Sequence, residues 1–370
     1  MAQINFSLSL DIDECATVVR AIGHEITPII VCEPGCGKTT LLSMIAEAEG
    51  SQWRSPKDGD IADDKYDYIY VDCPVKDMMD VAASIPNHTT HTLEYYVSSL
   101  FKLGNGKPKR IMLDEFMKSP KLLQIIFTRM MLERMVGDTP LPDGSIVFGT
   151  SNNTTDGVGD TIMAHAGNRV CIIQMKKPTQ TKWGAWASKQ IPPIARPIRA
   201  WAAMTSQAFQ SYLDPDQEAN PYIFKPSSTV KQFVSPRSLA KSSVIVKAKD
   251  VIGENAMMVA LAGTIGEAAA KSMSAFIALE GKLMKFSDVM KEPKTCKVPD
   301  DISALVMMMF EAVDNLTLQD EVNDYMDFVK RIPSSEVQSI FYTMMIRTKT
   351  KLARYNQAIN KWSAENHVVL

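Results

Sequence analysis

The chain has 370 residues, 45% of them hydrophobic and 22% charged, with 40 Lys and Arg against 42 Asp and Glu and a formal net charge of −2. That length accommodates two or three domains with cores of their own. The balance of charge excludes a global basic field of the kind that drives sequence-independent nucleic-acid binding, leaving room only for a local basic channel created by assembly.

No apolar run approaches the roughly 18 residues needed to span a bilayer. Met1 to Asp13 has no basic flank followed by an apolar stretch, so a soluble, cytoplasmic protein without membrane attachment is expected. Six cysteines, at 15, 32, 36, 73, 171 and 296, are scattered, some in apolar runs, which points to free reduced thiols. His88 and His91 have no cysteine or carboxylate cluster beside them, so zinc is not expected.

In chain order, a lead-in with one helix, Asp13 to Gly23, precedes an apolar strand at Ile29 to Val31. Next comes Cys32-Glu33-Pro34-Gly35-Cys36-Gly37-Lys38-Thr39-Thr40, and then an amphipathic helix carrying Leu41, Leu42, Ile45 and Ala46. Gly35 and Gly37 can adopt backbone angles closed to other residues, so successive N–H groups can converge on an anion at the positive end of the helix. Lys38 is then expected on the β- and γ-phosphates of a nucleotide and the Thr39 hydroxyl on Mg2+. The full pattern begins with Gly, where this chain has Cys32. A Gly-rich turn with an incidental lysine is the alternative.

A polar link from Ser51 to Lys65 leads to a second strand, Tyr68 to Val71. Lys76 to Ile85, with Met78 and Met79 beside Asp77 and Asp80, reads equally as a contact loop or a short covered helix. Thr92 to Leu103 reads as an amphipathic helix through Leu93, Tyr96, Val97 and Leu100. The strand Arg110-Ile111-Met112-Leu113 then ends in Asp114-Glu115. Two carboxylates closing an apolar strand downstream of a phosphate loop suit a Mg2+-dependent nucleotidase, with Asp114 holding the metal and Glu115 deprotonating the attacking water.

A helix is expected from Ser119 (N-cap) and Pro120 (first turn) to about Val136. A fourth strand, Ser145 to Phe148, ends at Asn152, whose amide could position the lytic water or simply form a turn. Arg169 precedes a fifth strand, Val170 to Met175, and Lys176-Lys177-Pro178 marks a boundary. The remainder reads as helical: Ile191 to Tyr212, a Pro-rich link, Ser235-Pro236-Arg237, a helix through Ala256 to Leu279, and helices beyond Pro299. The expected division is 1–178, 179–291 and 292–370. Most of the 23 methionines fall on apolar stripes, and core packing explains them.

The order of phosphate loop, Asp-Glu strand, Asn-tipped strand, Arg-tipped helix and helical lid resembles an AAA+ ATPase, and within that family the MoxR-type branch, matched by Glu33 to Thr39, Asp114-Glu115, Pro120, Gln124 and Glu133-Arg134, with Ser235-Pro236-Arg237 where the family starts a lid helix. Met117-Lys118 stands where that branch has Asn-Arg. The chain also looks like AAA+ ATPases encoded by tailed bacteriophages. The resemblance implies an α/β fold: a P-loop αβα domain with a parallel five-stranded sheet, an α-helical lid and a helical C-terminal region. It implies ATP and Mg2+ as cofactors, Asn152 as sensor, Arg169 as a finger on a neighbouring subunit's nucleotide, and Arg237 as a second sensor from the lid. It further implies a homo-oligomeric, hexameric ring that remodels a protein partner, such as a von Willebrand A-domain protein, in the host cytoplasm if phage-encoded. A nucleic-acid motor or loader, and a module that binds ATP without turnover, are the rival readings.

Overall fold

The computed structural model describes residues 8–53, 55, 64–153 and 169–368. It divides into two compact units, Met1–Lys177 and Pro178–Leu370.

The first unit holds strands β1 (Thr27–Cys32), β2 (Asp67–Asp72), β3 (Ala82–Asn87), β4 (Thr92–Val97), β5 (Lys109–Asp114), β6 (Met135–Val136), β7 (Thr139–Pro140), β8 (Ile146–Asn152) and β9 (Val170–Gln174). Its helices are α1 (Ile12–Ile22), α2 (Thr40–Ala48) and α3 (Lys121–Glu133). Five strands form a sheet in the order β2-β5-β8-β1-β9, every neighbouring pair parallel. Alternation of side chains across these strands separates two cores. Ile30, Met112 and Phe148 pack with Val19 of α1 and with Leu41, Leu42 and Ile45 of α2. Ile29, Val31, Leu113 and Val147 pack with Leu123, Phe127, Met130 and Met131 of α3. Each strand is therefore apolar on both sides, which is why each stood out as a continuous run.

Parallel pairing brings strand ends of one kind to one edge. Cys32 lies opposite Asn152, Leu113 opposite Gly149 and Asp72 opposite Asp114. The carboxyl ends of β1, β5 and β8 thus meet where the chain turns into α2.

Several sequence expectations are corrected. Thr92 to Leu103 is not a helix, because Thr92–Val97 pairs antiparallel with Ala82–Asn87. The 3.6-residue spacing of its apolar positions competes with the strand preference of Tyr95, Tyr96 and Val97, and the available partner strand decides it. Lys76 to Ile85 is no covered helix either, since Met78 and Met79 are exposed and β3 begins at Ala82. The helix after Ser119 has Pro120 at its N-cap, and the Ser119 hydroxyl donates to Phe116 O. It stops at Glu133 because Arg134 adopts a left-handed backbone (φ 56°), and the chain enters the β6–β7 hairpin.

The second unit is helical. Helices α4 (Gln180–Lys189), α5 (Arg196–Met204) and α6 (Pro236–Lys247) precede helices over Glu254–Ile265, Glu267–Leu279, Ile302–Asn315, Gln319–Val329 and Ser335–Thr348, with shorter ones between and after them. The stretch expected as one helix through Ala256 to Leu279 is two, broken at Gly266, whose φ of 87° only glycine adopts freely. Ile191 to Tyr212 likewise contains only α5 and a short 3-10 turn at Ser206–Phe209. One core runs from Trp183 through Trp201, Met273, Phe310 and Phe341 to Ile359. The buried Arg199 guanidinium donates to Asp314, Ile194 O and Ser188, pinning α5 to the Ile302–Asn315 helix.

Candidate functional site

Between β1 and α2 the backbone turns through Gly35 (φ 79°) and Gly37 (φ 97°), two left-handed positions that other residues occupy only under strain. Cys32 stands before this turn as the last residue of β1, paired with Asn152 and free of any left-handed requirement. Its buried thiol packs with Cys36 in the core beneath α2. Burial, followed by the neighbouring Cys32 thiol, pushes the Cys36 thiol well above the usual range, so it stays a neutral packing group here. The loop therefore accommodates cysteine in place of the pattern's first glycine.

Lys38 is 6% exposed. Its ammonium donates to Asn152 Oδ1 at 2.6 Å and to the carbonyls of Cys32 and Glu33, both at 3.2 Å. Pro34 and Cys36 complete the loop, and Thr40 opens α2 with its hydroxyl donating to Gly37 O at 2.6 Å. Thr39, the N-cap residue, makes no side-chain cap, so no side chain takes up the first backbone donors of α2 at that position.

Asp114 is the hub. Its Oδ2 accepts from Tyr70 Oη at 2.7 Å and from Thr39 Oγ1 at 3.3 Å, while Oδ1 accepts from Thr150 Oγ1. Burial, then the Asp114 carboxylate that accepts its hydrogen bond, drives the Tyr70 phenol upward, so it is a donor at any physiological pH. Asp72 is also raised, by burial and then by the charges of Asp114 and Glu115. Glu115 itself has a left-handed backbone (φ 51°, ψ 36°). Its N–H donates to Thr150 Oγ1 at 3.2 Å, and its carboxylate is paired with Lys118 Nζ at 2.6 Å. A glutamate held in a sparsely populated conformation beside a buried aspartate is a pattern associated with functional sites.

The structure thus brings together Lys38, Thr39, Asp114 and Asn152, with Glu115 next to them. Arg169 does not join them. It lies exposed just before β9, where Val170 pairs with Thr27, at the opposite end of the sheet and roughly 15 Å of strand away. Gly167 and Asn168, which precede it in the chain, lie outside the described residues. Arg237 belongs to the second unit, as an exposed residue in the first turn of α6. There Ser235 caps the helix through Ser238 and Pro236 takes the first position, which accounts locally for the Ser-Pro-Arg order. Tyr70 and Thr150 carry no signal in the sequence, and Lys118 stands out there only as a departure from the branch's Asn-Arg, not as a partner of Glu115. The first two are recognisable only once β2 and β8 are known to flank β5.

The residue set fits a nucleotide with Mg2+. Thr39 and Asp114 present a hydroxyl and a carboxylate, hard oxygen donors of the kind Mg2+ takes, already within hydrogen-bonding distance of each other. The glycine turn and the Lys38 ammonium supply the donors that polyphosphate needs.

Sheet order, loop and residue set define the first unit as an α/β P-loop domain. No family model and no curated protein sequence matches the chain. Solved structures that it resembles include an ATPase candidate from Cytophaga hutchinsonii (14% identity over 94% of this chain and 87% of that one, TM-score 0.29), a lysine-to-arginine variant of RuvB from Thermotoga maritima (11%, 71% and 68%, 0.34) and the ORC2 protein of Aeropyrum pernix in its ADP form (11%, 93% and 88%, 0.37). At such identities and TM-scores these likenesses assign neither substrate nor partner. No described helix is long and apolar enough to cross a membrane.

Proposed function

We propose that this protein is an AAA+ ATPase that hydrolyses the β–γ anhydride of ATP. The observation that carries the reading is the convergence of Lys38, Thr39, Asp114 and Asn152 at the carboxyl edge of one parallel sheet. Lys38 exchanges its present oxygen partners for phosphate oxygens, and the N–H groups of Gly35 to Thr39 cradle the same phosphates. Thr39 and Asp114 would hold Mg2+, which supplies charge neutralisation on the phosphates. Glu115, released from Lys118, accepts the proton of the attacking water, which Asn152 orients.

Arg169 acts on the nucleotide of a neighbouring copy in a ring, a role supported by its exposure at the far end of its own sheet. Arg237 reports the phosphate state from the helical unit, 179–291, with 292–370 as its C-terminal extension. By its MoxR-type motif residues, the ring remodels a protein partner. The Glu115–Lys118 pair favours a second reading, nucleotide binding without turnover, in which that contact persists.

The test is Mg2+-dependent ATP hydrolysis and ATP binding by wild type, Lys38→Ala and Glu115→Gln, with mass followed by light scattering. Turnover lost in both variants, with binding lost only in Lys38→Ala, supports the ATPase. Binding without turnover in wild type selects the second reading.

A further inference from the structure

Asp114 sits in a difficult place: it is 7% exposed, and two further carboxylates, Asp72 and Glu115, act on the same neighbourhood. A buried carboxylate is retained only when its oxygens are hydrogen-bonded. Here each oxygen has a hydroxyl donor from a strand flanking β5, Tyr70 from β2 on one side and Thr150 from β8 on the other. The Tyr70 ring spans this gap because Tyr70 is paired with Met112, two residues back from Asp114 on the same face.

We propose that Tyr70 is a positioning residue for the metal-holding carboxylate. Together with Thr150 it fixes the Asp114 carboxylate beside the Thr39 hydroxyl, where these two residues would hold the cation. Groups that orient metal-binding carboxylates through hydrogen bonds typically contribute about 10- to 100-fold to metal affinity. Thr150 has a second duty, accepting the Glu115 N–H at 3.2 Å, so its loss disturbs the base as well. Tyr70 makes no such contact and separates the two effects. The inference rests on the nucleotide site proposed above.

The experiment is a Mg2+ titration of fluorescent ATP-analogue binding to the full chain, wild type beside Tyr70→Phe, with thermal unfolding of both proteins in the absence of nucleotide. Phenylalanine keeps the ring and removes only the hydroxyl. The expected result is a half-saturating Mg2+ concentration raised about 10-fold, with Mg2+-free affinity unchanged. An unchanged Mg2+ requirement overturns the inference while leaving the nucleotide site standing. Equal loss of affinity with and without Mg2+, or a large drop in unfolding temperature, assigns Tyr70 a packing role and also overturns it. A wild type that binds no analogue under any condition overturns the inference together with the site.

Discussion

Lys118 Nζ lies 2.6 Å from the carboxylate of Glu115, the residue that our account makes the general base. Both side chains are partly exposed, so the pair is worth about 1 kcal/mol at most. Replacing Lys118 with Gln frees the carboxylate, and unstimulated hydrolysis is expected to rise up to about 5-fold, the equivalent of that energy. ATP affinity should not change. A steady-state ATPase assay beside equilibrium binding decides it, and a fall in rate shows that Lys118 itself takes part.

Glu115→Gln keeps the side chain's size while removing its basicity. Hydrolysis is expected to fall by about 10² to 10⁴, with ATP binding retained. Loss of binding to the same degree would mean that the left-handed turn at Glu115 is holding the loop together.

The phosphate loop supplies a third prediction. Cys32→Gly restores the usual first residue of the pattern, yet Cys32 has a strand backbone and a buried side chain. The variant should bind ATP no better than wild type. It should be less stable, by about 1 to 2 kcal/mol, through lost burial and added chain freedom. Denaturant unfolding measures this, and a gain in affinity would show that the thiol obstructs the nucleotide.

Lys109 is fully buried and donates to Asp67 and Asn105, both at 2.6 Å, and to Lys102 O at 2.9 Å. Burial alone would raise the Asp67 carboxyl, but hydrogen bonds from Lys109 and Asn105 and the charge of Lys109 outweigh it and hold the group below its ordinary value. A depressed folded value means stabilisation that is fully present above the unfolded value, near 3.9, and lost as pH falls toward the folded one. Wild type should therefore lose stability below about pH 4. Asp67→Ala should be weaker by about 3 kcal/mol at neutral pH and show a shallower loss in acid. Thermal unfolding between pH 3 and pH 7 tests both.

The five sheet strands were legible because each carries apolar side chains on both faces, fully buried in β1, β5 and β8 and partly buried in β2 and β9, and so reads as an apolar run. The β3–β4 hairpin was not. Leu93, Tyr96, Val97 and Leu100 satisfy a helical period as well as a strand does, and only pairing with Ala82–Asn87 separates the two. Lys38, Thr39 and Asp114 could be named from local motifs, since each is placed by a strand end. Tyr70 and Thr150 could not, because their role depends on which strands flank β5, a long-range fact that no local spacing carries. The Glu115–Lys118 contact depends in turn on the left-handed backbone of Glu115, unexpected for a non-glycine residue.

The most direct test of a shared-site ring is a mixing experiment with two inactive variants, Glu115→Gln and Arg169→Ala. An interface that takes Glu115 from an Arg169→Ala subunit and Arg169 from a Glu115→Gln subunit is intact. Each variant alone is expected to be inactive, and mixing to restore a substantial part of the wild-type rate, since a finger supplied in trans is worth about 10³ to 10⁵. Full activity of Arg169→Ala alone, or two inactive variants that stay inactive in every mixture while assembling normally, would contradict the shared-site ring.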